Sequence, residues 1–423
     1  MAVSLPDDIL REILVRLHDA ATLFRCAAAC RHWRHLITDP TFLRRRWPDQ
    51  SCASFIGFFN KQRHRHQGAK VLVPTPWSAL GRGRRAISTF VHDVPTSILN
   101  HAAPLVSHRG LLLVHLLPSR SRGADDWWVD RLAVCNMLVG TCHMLPPIMD
   151  SSSMDLRDYK NYGCAVLSGD NCTSGDVEQA PRGNSSFYKV IIITAGCEPR
   201  IGFKFDVHTF SSGNESWSKH TKCFSGTIED SNTFGSLCQS HAIVRHGAVH
   251  WLFNSWIAQC FCLVKLDARS GDISFTRLPV LARYIDDRAC LGLATSDGAL
   301  SVLRVQEAAG PKLEIWRQQE DQQSADGTSQ WLCTDTVELI QPRRTETQER
   351  DMLHVLGEKR GKLLVSDRRR RVYSADLETG TVEAVADWRG LHPNIPLDVV
   401  PLEIDWPAFF LSRLGTARYV YLV

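Results

Sequence analysis

The chain changes hydrophobic texture once. Over the first fifty residues apolar positions recur at helical spacing. Ile9, Leu10, Ile13, Leu14 and Leu17 fall at i, i+1, i+4, i+5 and i+8, an arc of about 140° at 100° per residue. Pro6 and Asp7 precede them in the order that opens a helix. Asp19 can cap a second helix carrying Leu23, Phe24, Ala27, Ala28 and Cys30, and Trp33, Leu36 and Ile37 space out a third. Asp39-Pro40 signals a further start, with Asp as N-cap and Pro in the first turn, before Phe42, Leu43 and Trp47. A unit of this size buries its own apolar surface poorly. Its broad face must therefore dock on the rest of the chain or on another protein, and the pattern does not choose between them.

From about residue 54 helical periodicity stops. Short apolar and aromatic runs, among them Phe55–Phe59, Leu111–Val114, Val190–Ile193, Leu363–Val365 and the terminal Ala417–Val423, alternate with Gly, Asp, Asn and Ser turns and predict many short strands. One hairpin recurs. Asn136 stands four residues before Gly140, Asp267 before Gly271 and Asp376 before Gly380; the Asx side chain can bond its own backbone while Gly supplies the positive φ. Phe203–Asp206, reaching Gly213 and Trp217, is a looser copy. A second repeated element is a tight Gly turn leading into a strand, at Gly247, Gly298 and Gly361. Hairpins at this spacing suggest blades of four strands, and the length fits a β-propeller of six to eight blades. Polar stretches near 150–186, 318–330 and 341–351 read as loops between strands. The expected architecture is a helical domain over 1–48 and a propeller-like domain over 54–423, joined near Pro48–Ala53.

The helical segment carries a specific resemblance. An LP pair (Leu5-Pro6) is followed by a leucine-rich helix, then by Cys30-Arg31-His32-Trp33-Arg34-His35-Leu36, then by Asp39-Pro40. Order and spacing resemble the F-box, a three-helix module that docks on a Skp-type adaptor and through it on a cullin–RING ubiquitin ligase. The match covers roughly a tenth of the chain and departs only in the loop at His18–Ala21, which lacks the family's common proline. By this resemblance Leu5, Pro6, Ile9, Leu10, Ile13, Leu14 and Leu17 contact the adaptor, while Leu23, Cys26 and Trp33 partly contact it and partly build the module's core. The remainder resembles the degenerate kelch-like, F-box-associated domain of plant F-box proteins, on Phe55–Phe59, Gly247–Leu252 and Leu313–Trp316, although the double glycine of true kelch blades is missing. The implied function is a substrate-recognition adaptor of an SCF-type ligase, its propeller holding an unidentified target protein. The alternative is an F-box protein acting outside a ligase as a binding module.

Composition narrows this only a little. With 423 residues, 44% of them hydrophobic and 22% charged, the chain is neither mainly disordered nor fibrous. A net charge of +4 argues for neither nucleic acid nor membrane as partner, and no apolar run reaches the length of a membrane span. Arg44–Arg46, Arg84–Arg85 and Arg368–Arg371 read as solvated faces. The N-terminus lacks the basic and apolar regions of a signal peptide, so the 14 cysteines are expected as free thiols, the sequons at Asn171, Asn184 and Asn214 as silent, and the cytoplasm or nucleus as the location. No C-x-x-C pair occurs; Cys260 and Cys262 share one strand face and read as small core residues. Gly357–Lys362 falls one residue short of a phosphate loop, and Gly81–Ala86 fits a dinucleotide fingerprint without its strand. Neither a nucleophile elbow nor a copper constellation is legible. The expectation is a chain without catalysis, metal or cofactor. Trp217, Trp251, Trp316 and Trp388 read as packing between blades; Trp77, Trp127 and Trp128 read as lying nearer loops.

Overall fold

The computed structural model describes residues 5–17, 20–47, 53–60, 71–75, 78, 83–100, 102–116, 131–148, 162–169, 187–198, 202–224, 236–237, 242–255, 260–281, 291–296, 299–306, 311–323, 329–340, 353–359, 361–367, 370–387 and 399–415. Asp19, Trp77, Trp127, Trp128, Gly298, Trp388, the stretches 150–161, 170–186 and 341–351 and the terminal run 417–423 lie outside them; within the expected loop 150–186, Tyr162–Ser168 is a strand.

Four helices come first: α1 (Asp7–Val15), α2 (Ala20–Ala29), α3 (Arg31–Ile37) and α4 (Pro40–Arg46). Their starts follow local chemistry. Asp39 Oδ1 accepts the Thr41 N–H at 2.8 Å with Pro40 in the first turn, and these Thr41 bonds hold the Asp39 carboxyl below its ordinary pKa. Cys30 lies just beyond α2 and caps α3, its Sγ accepting the Trp33 N–H at 3.3 Å.

Six antiparallel sheets follow, at the lower end of the expected range. The first blade holds β1 (Ala53–Asn60), β2 (Val71–Pro74) and β3 (Arg85–Ala86). After a short α5 (Thr96–Leu99) the second runs β4 (Ala102–His108), β5 (Leu111–Leu116), β6 (Arg131–Asn136), β7 (Thr141–Met144). The third has β8 (Tyr162–Ser168), β9 (Tyr188–Glu198), β10 (Gly202–Ser211), β11 (Ser218–Phe224). The fourth has β12 (Ser236–Leu237) and β13 (Ile243–Arg245), both paired with β14 (Ala248–Ser255), then β15 (Cys260–Asp267) and β16 (Ile273–Leu281). The fifth has β17 (Leu291–Ser296), β18 (Ala299–Gln306), β19 (Lys312–Gln323), β20 (Ser329–Glu338). The sixth has β21 (His354–Lys359), β22 (Lys362–Ser366), β23 (Arg371–Asp376), β24 (Val382–Asp387). The last strand, β25 (Val399–Asp405), returns to the first blade and pairs with β1, giving the order β25-β1-β2-β3. The innermost strands lie side by side in the order β25, β4, β8, β13, β17, β21. This is a six-blade propeller closed by its C-terminal strand.

The core explains the apolar runs. Each blade is covered on both faces, so its central strands are apolar over most of their length, and the period of two divides their side chains between two neighbours. Leu111 and Leu113 face the third blade, while Leu112 and Val114 face the first. Each of the six junctions between neighbouring blades has its own buried cluster.

The repeated hairpin is a structural repeat. Asn136, Asp267 and Asp376 each accept two backbone N–H groups on Oδ1 at 2.8–3.2 Å. Gly140, Gly271 and Gly380 have φ of 86°, 76° and 69°. Two of the expected Gly turns, Gly247 and Gly361, dock on these hairpins, and so does Gly110, which the sequence pattern did not single out: each accepts the N–H of the residue after the Asx, at 2.8–2.9 Å. The looser copy fails. Asp206 lies inside β10 and takes the Thr221 hydroxyl, and the turn is made by residues 211–214 instead. The stretch 318–330 is largely strand, with β19 running to Gln323 and β20 starting at Ser329. Outer strands face solvent, so their polarity does not mean loop.

After β25, α6 (Trp406–Phe410) and a π-helical turn over Leu411–Gly415 turn back onto the helical module. Asp405 Oδ1 caps α6 through the Ala408 N–H at 3.0 Å. Leu14, Leu23, Leu36, Phe42, Trp406 and Phe410 share one buried cluster with strands of the first two blades.

Candidate functional site

The site is built on α1. Its flanks are tied to the helices behind it. Arg11 meets Asp39 at 3.2 Å, Arg45 bonds Glu12, His32 Nε2 lies 3.1 Å from Asp7, and Arg46 donates to the Leu17 carbonyl at 2.9 Å. With the rotation of α1 set, its wide apolar arc divides. Taking Ile9 as zero and about 100° per residue, Ile13 lies at about 40°, while Leu5 stands just before the helix, next to its N-cap Pro6. Leu17, Leu10 and Leu14 follow at about 80° to 140°.

The two halves have different fates. Leu5, Ile9 and Ile13 are 48%, 47% and 48% exposed, and Pro6 beside them is exposed. Leu14 is 2% exposed and Leu23 is buried, so both belong to the interior of the module and offer no outer surface. Leu10, Leu17 and Cys26 are half-buried and pack on the same cluster; Trp33 is half-buried on α3. Among the described residues nine large apolar side chains are exposed; Ile9 and Ile13 stand one turn apart on this helix, and Leu5 lies just before it. The broad face therefore docks on the chain with one half and leaves the other half uncovered.

The seat of the module is aromatic. Phe24 of α2 packs on Phe409 and Phe410 with centroids 5.8 and 6.0 Å apart, and Trp47 lies 5.5 Å from Phe410. Sequence reading missed this segment, although Asp405-Trp406-Pro407 carries the same Asp-cap and early-Pro signal as Asp39-Pro40.

A concavity of about 420 Å³ lies between the second and third blades. Leu111, Val134 and Phe187 give its apolar wall; His143 and Tyr188 bond each other across it. Burial, then the nearby Cys142, raises the Tyr188 phenol well above its ordinary pKa. The lining offers hydrogen bonds and apolar area but carries no carboxylate. Among the described residues no three His, Cys, Asp or Glu side chains gather as metal ligands, and no helix is long and apolar enough to cross a membrane.

Comparison with known proteins agrees with the helical geometry. The F-box-like family model matches residues 2–47. The chain thus has an N-terminal F-box-like domain followed by a six-blade propeller. That order of domains is, in general terms, the architecture of an F-box substrate adaptor. No curated protein matches the chain. Among solved structures it is similar to dipeptidyl peptidase 4 of Porphyromonas gingivalis (10% identity, 78% of this chain and 52% of that one, TM-score 0.28). It is also similar to AztD of Citrobacter koseri (11%, 82% and 75%, TM-score 0.26) and to a Synechocystis apocarotenoid oxygenase (7%, 67% and 59%, TM-score 0.33). The chain spans about half the length of the peptidase, and likenesses this distant lend it no activity.

Proposed function

We propose that this chain is the substrate-recognition subunit of an SCF-type cullin–RING ubiquitin ligase. The exposed stripe of α1 docks on a Skp-type adaptor, the adaptor brings the cullin, and the propeller holds a target protein. The chain contributes position rather than chemistry, raising the effective concentration of target beside the transferring subunit. It works in the cytoplasm or nucleus, and its propeller is of the degenerate kelch-like kind found in plant F-box proteins. One observation supports this reading above others: Leu5, Ile9 and Ile13 remain uncovered along a helix whose other half packs on the core cluster. Exposed apolar surface of that kind marks an interaction site, and it falls inside the F-box-like match.

The test is capture of the full chain by a purified Skp-type adaptor, wild type beside Ile9→Asp/Ile13→Asp. Both positions are half exposed, so the variant should fold and melt like the wild type while capture is lost. Capture that persists in the folded variant would refute the assignment of this stripe. Capture of adaptor without recruitment of a cullin would favour a binding module outside a ligase.

A further inference from the structure

Two cysteines face each other across β6 and β7. Cys135 pairs with Cys142 in the register, and their sulfurs are 3.4 Å apart. Leu132 accepts the Leu145 N–H at 2.9 Å, which makes that pair, and every second pair inward, hydrogen-bonded. Cys135 and Cys142 therefore occupy a non-hydrogen-bonded position, where Cα atoms stand about 4.5 Å apart, within the span of a disulfide. The Cys142 N–H points away from the ladder and is taken by both Asp93 carboxylate oxygens, at 2.9 and 3.0 Å. Cys135 is buried and Cys142 half-buried.

We propose that Cys135 and Cys142 are an oxidation site, closed to a disulfide by hydrogen peroxide. The Cys142 thiolate attacks the peroxide, giving a sulfenic acid and, after protonation, water. The Cys135 sulfur then displaces the sulfenic hydroxyl, which leaves as a second water. Overall two thiols and one peroxide become one disulfide and two waters, the thiols losing the two electrons the peroxide gains. The roles follow from the contact. The Cys135 thiol donates to the Cys142 sulfur, lowering the pKa of Cys142, while that same bond and burial raise Cys135. The thiolate is the reactive form.

The bond would brace more than a hairpin. The turn it closes carries the Leu138 carbonyl, which accepts from Arg413, and the Gly140 carbonyl, which accepts the His92 N–H at 3.0 Å. Arg413 lies 6.0 Å over the Phe409 ring, and Phe409 packs on Phe24 of the helical module. Oxidation therefore stiffens the support of the C-terminal seat.

The test treats the reduced full chain with hydrogen peroxide, alkylates free thiols and digests it. Both cysteines fall in one tryptic peptide, 132–157. It should be recovered two hydrogens lighter and unalkylated, and dithiothreitol should reverse this. The exposed Cys30, Cys223 and Cys333 are internal references. If they oxidise while this peptide stays reduced, or if Cys142 links elsewhere, the proposal is overturned. Cys142→Ser should leave Cys135 reduced at the same dose, and Cys135→Ser, whose hydroxyl keeps a donor beside Cys142 but cannot form the disulfide, should leave a sulfenic acid at Cys142 that a dione probe traps. Trypsin cleavage after Arg413 should slow in the oxidised chain; a disulfide that leaves this rate unchanged overturns the bracing role.

Discussion

Gly163 and Trp251 offer the sharpest test of the packing between blades. Gly163 lies in β8 and Trp251, fully buried, in β14 of the next blade. A Cβ added at Gly163 would come within 2.4 Å of the indole Nε1, 2.6 Å of Cδ1 and 3.1 Å of Ile193 Cγ2. Gly163→Ala must therefore push the indole out of place, at a cost of about 1–3 kcal/mol for an overpacked core. Trp251→Ala empties the same volume and should cost about 3–5 kcal/mol. In the double variant the added methyl meets the vacated space, so its penalty disappears, and Ala in place of Gly gains a little from the unfolded state. The double variant should be no less stable than Trp251→Ala alone, a coupling of about 1–3 kcal/mol. Urea unfolding of the four proteins measures it. Additivity within about 0.5 kcal/mol would refute the contact.

Other consequences are open to simpler measurements. Leu14→Asp should unfold the helical module whereas Ile13→Asp, on the outer half of the arc, should leave the melting midpoint almost unmoved; equal losses would contradict the division of that arc. His250 is 6% exposed, and burial first, then Lys265 and Arg245, lowers its pKa from 6.5 to about 4. The unfolded chain therefore binds the extra proton between those values, and stability should fall as pH drops through 6.5 toward 4, by about 2 kcal/mol at pH 5. His250→Gln should flatten that slope, and an unchanged slope in unfolding experiments would exclude His250 as its source. Asp376 accepts the Glu378 and Thr379 N–H groups and pairs with Lys362 at 2.6 Å. Asp376→Asn should cost little, since Asn136 already serves the same turn, while Asp376→Ala should cost about 1–2 kcal/mol; calorimetry ranks the two.

Features governed by neighbours in sequence were legible. The Asp39-Pro40 start, the helical stripes and the Asx–Gly hairpins depend on contacts four residues long or shorter, and each is present. Features governed by distant pairing were not. Blade number depends on β25 returning to β1, which no local pattern announces. The strand pair across 318–330 was hidden because β20 exposes most of its residues, and polarity at an outer edge looks the same as polarity in a loop. The α1 arc showed its full width in sequence, but which half is exposed depends on Asp39, Arg45 and Arg46, all on or beside α4, three helices further along the chain.

The return of the chain also bears on how an adaptor of this kind would work. β1 begins just after the helical module, and β25, its partner, ends just before α6. The two ends of the propeller therefore meet in one blade. The N-terminal end carries the module, and the C-terminal end supplies the aromatic seat on which Phe24 and Trp47 rest. A tether at one end would leave the module free to rotate about the linker. A tether plus a buried seat from the opposite terminus removes that freedom, because rotation would have to separate the Phe410 contacts. The orientation of the α1 stripe relative to the propeller is then set by the closure of the propeller itself. Any change that loosens closure should loosen α1 with it.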